Sequence, residues 1–268
     1  MRHVMAFICV TMLCSLQLAA HVETIPFADE TAKRICVEQW DSDGDGELSF
    51  QEAATITDLA GAFCLRLLNS PETFNELQHF TSLREIAPRS FADCYHLRSI
   101  TLPASVQFIH ESAFSSCVQL EEIQIPTSVQ RLGQSCFFHC TSLHEILIPP
   151  SVRDSIPYQA FAYCSDLQRA TIESNVSIIG PKAFFECPLL QTVTLPFTTT
   201  HICTNAFSGC GEIRQLFCRA STPPMVDNDV FDTRVLSNAV LFVPEGAVEA
   251  YKQAPGWRDF KFISETFE

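Results

Sequence analysis

Between residues 80 and 218 the apolar positions recur with a period close to 23. The pair F-x-x-C occurs at Phe91/Cys94, Phe114/Cys117, Phe137/Cys140, Phe161/Cys164, Phe184/Cys187 and Phe207/Cys210, and successive Phe are 23, 23, 24, 23 and 23 residues apart. Each Cys is followed by an alternating apolar run: Leu97/Ile100/Leu102, Leu120/Ile123/Ile125, Leu143/Ile146/Ile148, Leu167/Ala170/Ile172, Leu190/Val193/Leu195 and Ile213/Leu216/Cys218. A second apolar pair then recurs, as in Val106/Ile109 and Val129/Leu132, and a partial unit (Phe80, Leu83, Ile86) leads in. The period-two alternation predicts one short strand per unit, with strands parallel from unit to unit. One unit cannot bury its apolar face alone, so neighbours must stack, placing Phe and Cys in internal ladders.

Self-similarity at this period with L-x-x-L-x-L spacing is the mark of a leucine-rich repeat solenoid, mostly β with short helices or irregular returns. Phase is lost after Cys218, where Pro223–Pro224 marks a break. Val240 to Val243 predicts a strand and Pro244 to Gln253 a helix, and Tyr251, Trp257, Phe260 and Ile263 supply large apolar groups. An open solenoid end needs a cover, so residues 219–268 are expected to form a mixed α/β cap; a docking module is the alternative.

Ahead of the repeats, Asp41-Ser-Asp43-Gly-Asp45-Gly46-Glu47-Leu-Ser49-Phe-Gln-Glu52 matches D-x-D-x-D-G-x5-E. That spacing lets Asp41, Asp43 and Asp45 supply side-chain oxygens and Glu47 its backbone carbonyl. Ser49 can hold a water, Glu52 closes the shell with two oxygens, and Gly46 allows the sharp turn. Asp29 to Trp40 has helical spacing. Ser49-x-x-Glu52 is a capping box for a second helix through Ala53, Ala54, Ile56 and Leu59, ending at Gly61. The expectation is an EF-hand-like cap over 21–61 holding one structural Ca2+; a calcium sensor is the other use of such a loop.

The unit A-F-x-x-C-x-x-L-x-x-I-x-I-P-x-x-V-x-x-I resembles the BspA-like leucine-rich repeat family of bacterial surface proteins, over about residues 80 to 218. The segment from Leu241 to Phe260 is similar to an end module of that family, and the calcium loop resembles its architecture. The resemblance implies secretion or surface display, and protein binding or adhesion, including to host matrix proteins; it does not imply catalysis. Departures are Glu173 in place of a Pro, the sequence Phe197–Thr200, and a last strand that ends in Cys218.

Arg2 and His3 precede an apolar run from Val4 and a small-residue end at Ala19–Ala20, the form of a secretory signal peptide over 1–20. An N-terminal membrane anchor is the alternative, and no later stretch is long enough to span a bilayer. The domain plan is therefore 1–20 signal, 21–61 calcium cap, 62–218 solenoid and 219–268 end cap. A net charge of −14 argues against nucleic acid and anionic membrane surfaces as partners.

Secretion permits disulfides, yet six of the 13 Cys share one repeat phase and are expected inside as packed thiols. Cys36 and Cys64 flank the calcium unit and could bridge. Cys136, His139, Cys140 and His144 have zinc-like spacing, but the ladder phase of Cys140 and the variable slot of His139 oppose a metal there. No nucleophile elbow, phosphate-binding Gly loop or H-E-x-x-H occurs, so an enzyme is not expected.

On each strand the residue between the two inward positions faces out: Thr101, Gln124, Leu147, Thr171, Thr194 and Phe217. A neighbouring outward row is Ser99, Glu122, Glu145, Arg169, Thr192 and Gln215. Leu147 and Phe217 are apolar anchors in a polar field, and the first row is the candidate partner-binding face. Six strands span a face of about 450 Å², short of the roughly 800 Å² per partner of a standard interface, so edge loops or an end module must contribute. The expected function is an exported, adhesin-like protein binder with an extracellular partner (host matrix or surface protein). The alternative is a non-catalytic assembly component of a cell-surface layer.

Overall fold

A computed structural model of the chain describes residues 22–64, 69–173 and 175–265. The N-terminal segment 1–20, expected to be a signal peptide, lies outside the described residues.

The repeats wind into a parallel solenoid with three hydrogen-bonded sides. The first side holds β1 (Thr73–Phe74), β3 (Ser99–Ile100) and β5 (Glu122–Ile123) in one sheet. A second sheet follows on the same side: β7 (Glu145–Ile148), β9 (Arg169–Ile172), β11 (Thr192–Leu195), β13 (Gln215–Cys218), β15 (Val240–Val243) and β16 (Phe262–Glu265). The strands share one register, so inward Ile146, Ala170, Val193, Leu216 and Leu241 form one row. The second apolar pair of each unit makes a ladder of its own. It runs through β2 (Glu85–Ile86), β4 (Phe108–Ile109) and β6 (Arg131–Leu132), then β8 (Arg153–Ile156), β10 (Asn175–Ile179), β12 (His201–Ile202) and β14 (Met225–Val226).

The third side is the turn that carries F-x-x-C. Here Phe91, Phe114, Phe137, Phe161, Phe184 and Phe207 stack face to face with centroids 5.2–5.3 Å apart. Each Cys thiol donates to the carbonyl oxygen of the Phe one unit earlier, as in Cys117 Sγ to Phe91 O at 3.1 Å and Cys210 Sγ to Phe184 O at 3.0 Å. The second residue after each Phe has positive φ: Asp93, Ser116, His139, Tyr163, Glu186 and Gly209, between 55° and 82°. None of these is β-branched, as a left-handed backbone requires.

The single 24-residue step lies between Val152 and Ile156, where the preceding unit fits one residue fewer between Val129 and Leu132. The extra residue is absorbed at Asp154, whose φ is +71°, and both ladders are interrupted beside this unit, between β5 and β7 and between β6 and β8.

At the N-terminus, α1 (Glu30–Trp40) and α2 (Phe50–Thr55) cover the first rung. Asp29 caps α1 through Oδ1 and accepts Glu72 N–H on Oδ2, which ties the helix to the repeats. Trp40 packs edge-on to Phe80 at 5.5 Å. The predicted capping box at Ser49/Glu52 is present, but α2 ends at Thr55 rather than Gly61. Thr55, Ile56 and Thr57 are β-branched and disfavour a longer helix, and Thr55 Oγ1 donates back to Glu52 O.

At the other end the rungs continue beyond residue 218. Phe231 stacks on Phe207 at 5.7 Å, and β15 and β16 extend the first ladder in parallel. Short α3 (Thr233–Asn238) and α4 (Val248–Gln253) return between them. α4 starts four residues after the predicted point, because Gly246 takes a left-handed φ of +76°. Tyr251 and Trp257 are fully buried; Tyr251 Oη donates to Ala220 O and Trp257 Nε1 to Pro224 O, both at 2.7 Å. Among the described residues no helix is long and apolar enough to cross a membrane.

Candidate functional site

The first ladder presents the outward row. Thr101, Gln124 and Leu147 are exposed, Leu147 to 53%. Thr171 is half-buried. Thr194, expected on the surface, is only 9% exposed. Its in-register neighbour is the much larger Phe217, and at a rung spacing of ~4.8 Å a short side chain is shaded by a large one. Phe217 is itself no isolated anchor: it is half-buried and stacks on Phe242 at 4.7 Å. The face therefore divides into an aromatic pair near the C-terminal end and a polar region centred on Leu147.

That polar region contains a crease at the interruption between β5 and β7. At the strands themselves His144 N donates to Glu121 O across it at 3.3 Å, against 2.8 Å for the matching Gln168 N to His144 O bond one rung on. The crease is lined by Glu121, Glu122, His144, Glu145, Gln168 and Arg169, and it continues past Gln124 and Leu147 to Thr171. Three carboxylates face one guanidinium, and Glu122 and Glu145 occupy equivalent positions on adjacent rungs. Like charges so placed repel.

In the predicted calcium loop, Asp41, Asp43 and Asp45 bring carboxylate oxygens within 4.8 Å of one another. Gly44 and Gly46 have φ of +76° and +86°, the conformation the tight loop demands. Asp41 accepts Gly44 and Gly46 N–H at 2.7 and 2.9 Å, which aims its carboxylate inward. Glu47 places its side chain on Lys33 at 2.6 Å, leaving its carbonyl for the loop. Glu52 accepts from Ser42 through Oε1 and from Ser49 through Oε2. Desolvation raises this carboxyl, but the hydrogen bonds outweigh it and hold Glu52 at about 2, ionised at any ordinary pH. The three aspartates are brought together while Glu52 lies outside that cluster; the gathered donors are all oxygen and fit a hard divalent cation. Antiparallel pairing of Thr24 with Ser49 braces the loop exit.

Cys36 and Cys64 are unbridged, as are the ladder thiols. Cys136 and Cys140 are buried while His139 and His144 are exposed, and Cys140 is committed to Phe114 O, so these four do not assemble. The register does assemble another group that sequence reasoning passed over: His201, Cys203 and Asp227, with ligand atoms within 4.8 Å of one another. The available signal was that Cys203 and Asp227 are 24 residues apart, one repeat.

Stacked parallel rungs with an internal Phe/Cys ladder define a leucine-rich repeat solenoid. The family model described as BspA type leucine-rich repeat region matches in six copies over residues 69–188 and 154–241, and the chain belongs to this family. Among solved structures it is similar to a leucine-rich repeat protein of T. pallidum (24% identity, 69% of this chain and 79% of that chain, TM-score 0.49). A leucine-rich repeat protein from Bacteroides ovatus is 19% identical over 69% of this chain and 59% of that one, with a TM-score of 0.42. A leucine rich cell surface protein from Faecalibacterium prausnitzii is 20% identical over 73% and 63%, with a TM-score of 0.35. No curated protein matches the chain.

Proposed function

We propose that this chain is an exported, non-catalytic protein binder that grips an extracellular partner across the crease of its first ladder, with one calcium ion clamping its N-terminal cap. The carrying observation is the crease itself: an exposed Leu147 beside the clustered carboxylates of Glu121, Glu122 and Glu145. A basic segment carrying an apolar side chain complements both features, since it relieves the repulsion between the carboxylates and covers the leucine. Export is supported by the pattern of residues 1–20. Calcium would be held by Asp41, Asp43, Asp45, the Glu47 carbonyl and Glu52, and it would supply charge neutralisation that locks α1 against α2. Assembly into a cell-surface layer is a second use of the same protein, favoured by the ladder edge at β16, where Phe262 is exposed.

The test is capture by residues 21–268 from host matrix extracts and from the producer's envelope proteins, in calcium and in chelator. Capture of a host protein that is lost in Leu147→Ser and in Glu122→Lys/Glu145→Lys, with folding intact, supports the binder. Capture unchanged in both variants removes the crease from the site. Recovery of only envelope proteins, or of the chain itself, shifts the function to surface assembly.

A further inference from the structure

The second ladder carries a mixed nitrogen, sulfur and oxygen cluster near its C-terminal end. His201 lies on β12, Cys203 follows that strand, and Asp227 follows β14 on the next rung. β12 and β14 pair in register, His201 with Met225 and Ile202 with Val226, which sets Cys203 beside Asp227. His201 Nε2 is 2.8 Å from Asp227 Oδ1. Asp227 Oδ2 accepts the backbone N–H and the hydroxyl of Thr204 at 3.1 and 3.3 Å. The carboxylate is thus fixed on one oxygen and presents the other to the imidazole. All three ligating residues are half-buried, so an ion can reach them from solvent while the rungs hold them in place.

From this we infer that His201, Cys203 and Asp227 form a binding site for Zn2+. Zinc takes imidazole nitrogen, thiolate sulfur and carboxylate oxygen together, and three protein ligands leave its fourth tetrahedral position to water. A hard cation such as calcium avoids the sulfur and nitrogen, which separates this site from the all-oxygen loop at Asp41. Thr204 is the supporting residue that orients the carboxylate. Binding at Nε2 places the imidazole proton on Nδ1, and the thiol proton of Cys203 is released to solvent as the thiolate takes the metal. Because the ligands come from two successive rungs, the ion cross-links the last rungs of the second ladder.

Alkylation of the folded, reduced protein, mapped by peptide mass, reads the site directly. Cys203 and Cys64 are the two half-exposed thiols among the described residues. Zinc at one equivalent, with calcium present to occupy the acidic loop, is expected to block labelling at Cys203 and leave Cys64 unchanged. His201→Ala and Asp227→Asn should each lose that protection, and Thr204→Ala should weaken zinc affinity by roughly 10–100-fold. The unaltered chain supplies a second readout: Co2+ should give a thiolate-to-cobalt charge-transfer band that Cys203→Ser abolishes. Labelling of Cys203 at the same rate with and without zinc overturns the site, as does protection retained in both His201→Ala and Asp227→Asn. The ladder thiols, unreactive while the solenoid is folded, report in every sample that the variant has kept its fold.

Discussion

At the scale of single residues, the F-x-x-C pair is a packing device with a polar handle. The Phe rings bury fully and stack, and the thiol gives its weak donor to a carbonyl one rung back. Burial pushes the thiols of Cys117, Cys140, Cys164 and Cys187 up, Cys164 to about 12, and does the same to Cys218 at the end of β13, to about 11. Two outcomes follow from that direction. A maleimide at neutral pH should modify Cys64 and Cys203 in the folded protein, whereas denaturant should release all eleven described cysteines; rapid native labelling of a ladder cysteine would contradict the packing. The second concerns alkaline stability. The unfolded chain loses its thiol protons near about pH 8.5 and the folded one only above about 11, so the stabilisation is whole below 8.5 and drains as pH rises through this window. Each such thiol costs about 1.4 kcal/mol per pH unit there; Tm should fall steeply above pH 9, and a flat Tm to pH 11 would count against it. The left-handed slot makes a third prediction. His139→Val should destabilise by about 1–2 kcal/mol in denaturant melts, and His139→Gly should not.

At the scale of elements, the N-terminal helix pair covers the first rung and is joined through its acidic loop. Calcium should raise Tm, chelator should lower it, and Asp45→Ala should lie near the chelated value with calcium present; identical melts for all three would remove the clamp. The repeat strands were legible because each inward position recurs in one phase, so six weak signals add. The capping box was legible because Ser49 and Glu52 are near in sequence. What escaped was decided across rungs. The burial of Thr194 depends on Phe217, and the half-burial of Phe217 depends on Phe242, which lies past the point where the repeat phase could be followed. The rung at Phe231 lacks the Cys that marks the others, and Asp227 meets His201 only once the register is known. The short α2 shows local chemistry overruling apolar spacing, through the run Thr55-Ile56-Thr57.

At the scale of the molecule, each rung touches mainly its neighbours, so stability is approximately a sum over interfaces, and at the crease the strand pairing of the first ladder is interrupted. The interruption that forms the crease also divides the first ladder into a three-stranded and a six-stranded sheet. If the acidic groove is the binding face proposed above, its partner's approach is electrostatic: association should slow as ionic strength rises, and Glu122→Lys/Glu145→Lys should remove that dependence. The cysteine ladder has a consequence for how the molecule matures. Rungs repeat every ~4.8 Å, inside the roughly 4.4–6.8 Å Cα separation at which two cysteines can bridge. In a half-wound chain each F-x-x-C thiol is therefore within reach of a cross-link to the next, and sealing by the following rung shields it from oxidant. In an oxidising compartment, winding would therefore race oxidation: a chain that winds from one end closes each thiol in turn, while one that meets an oxidant first would be stapled into scrambled forms.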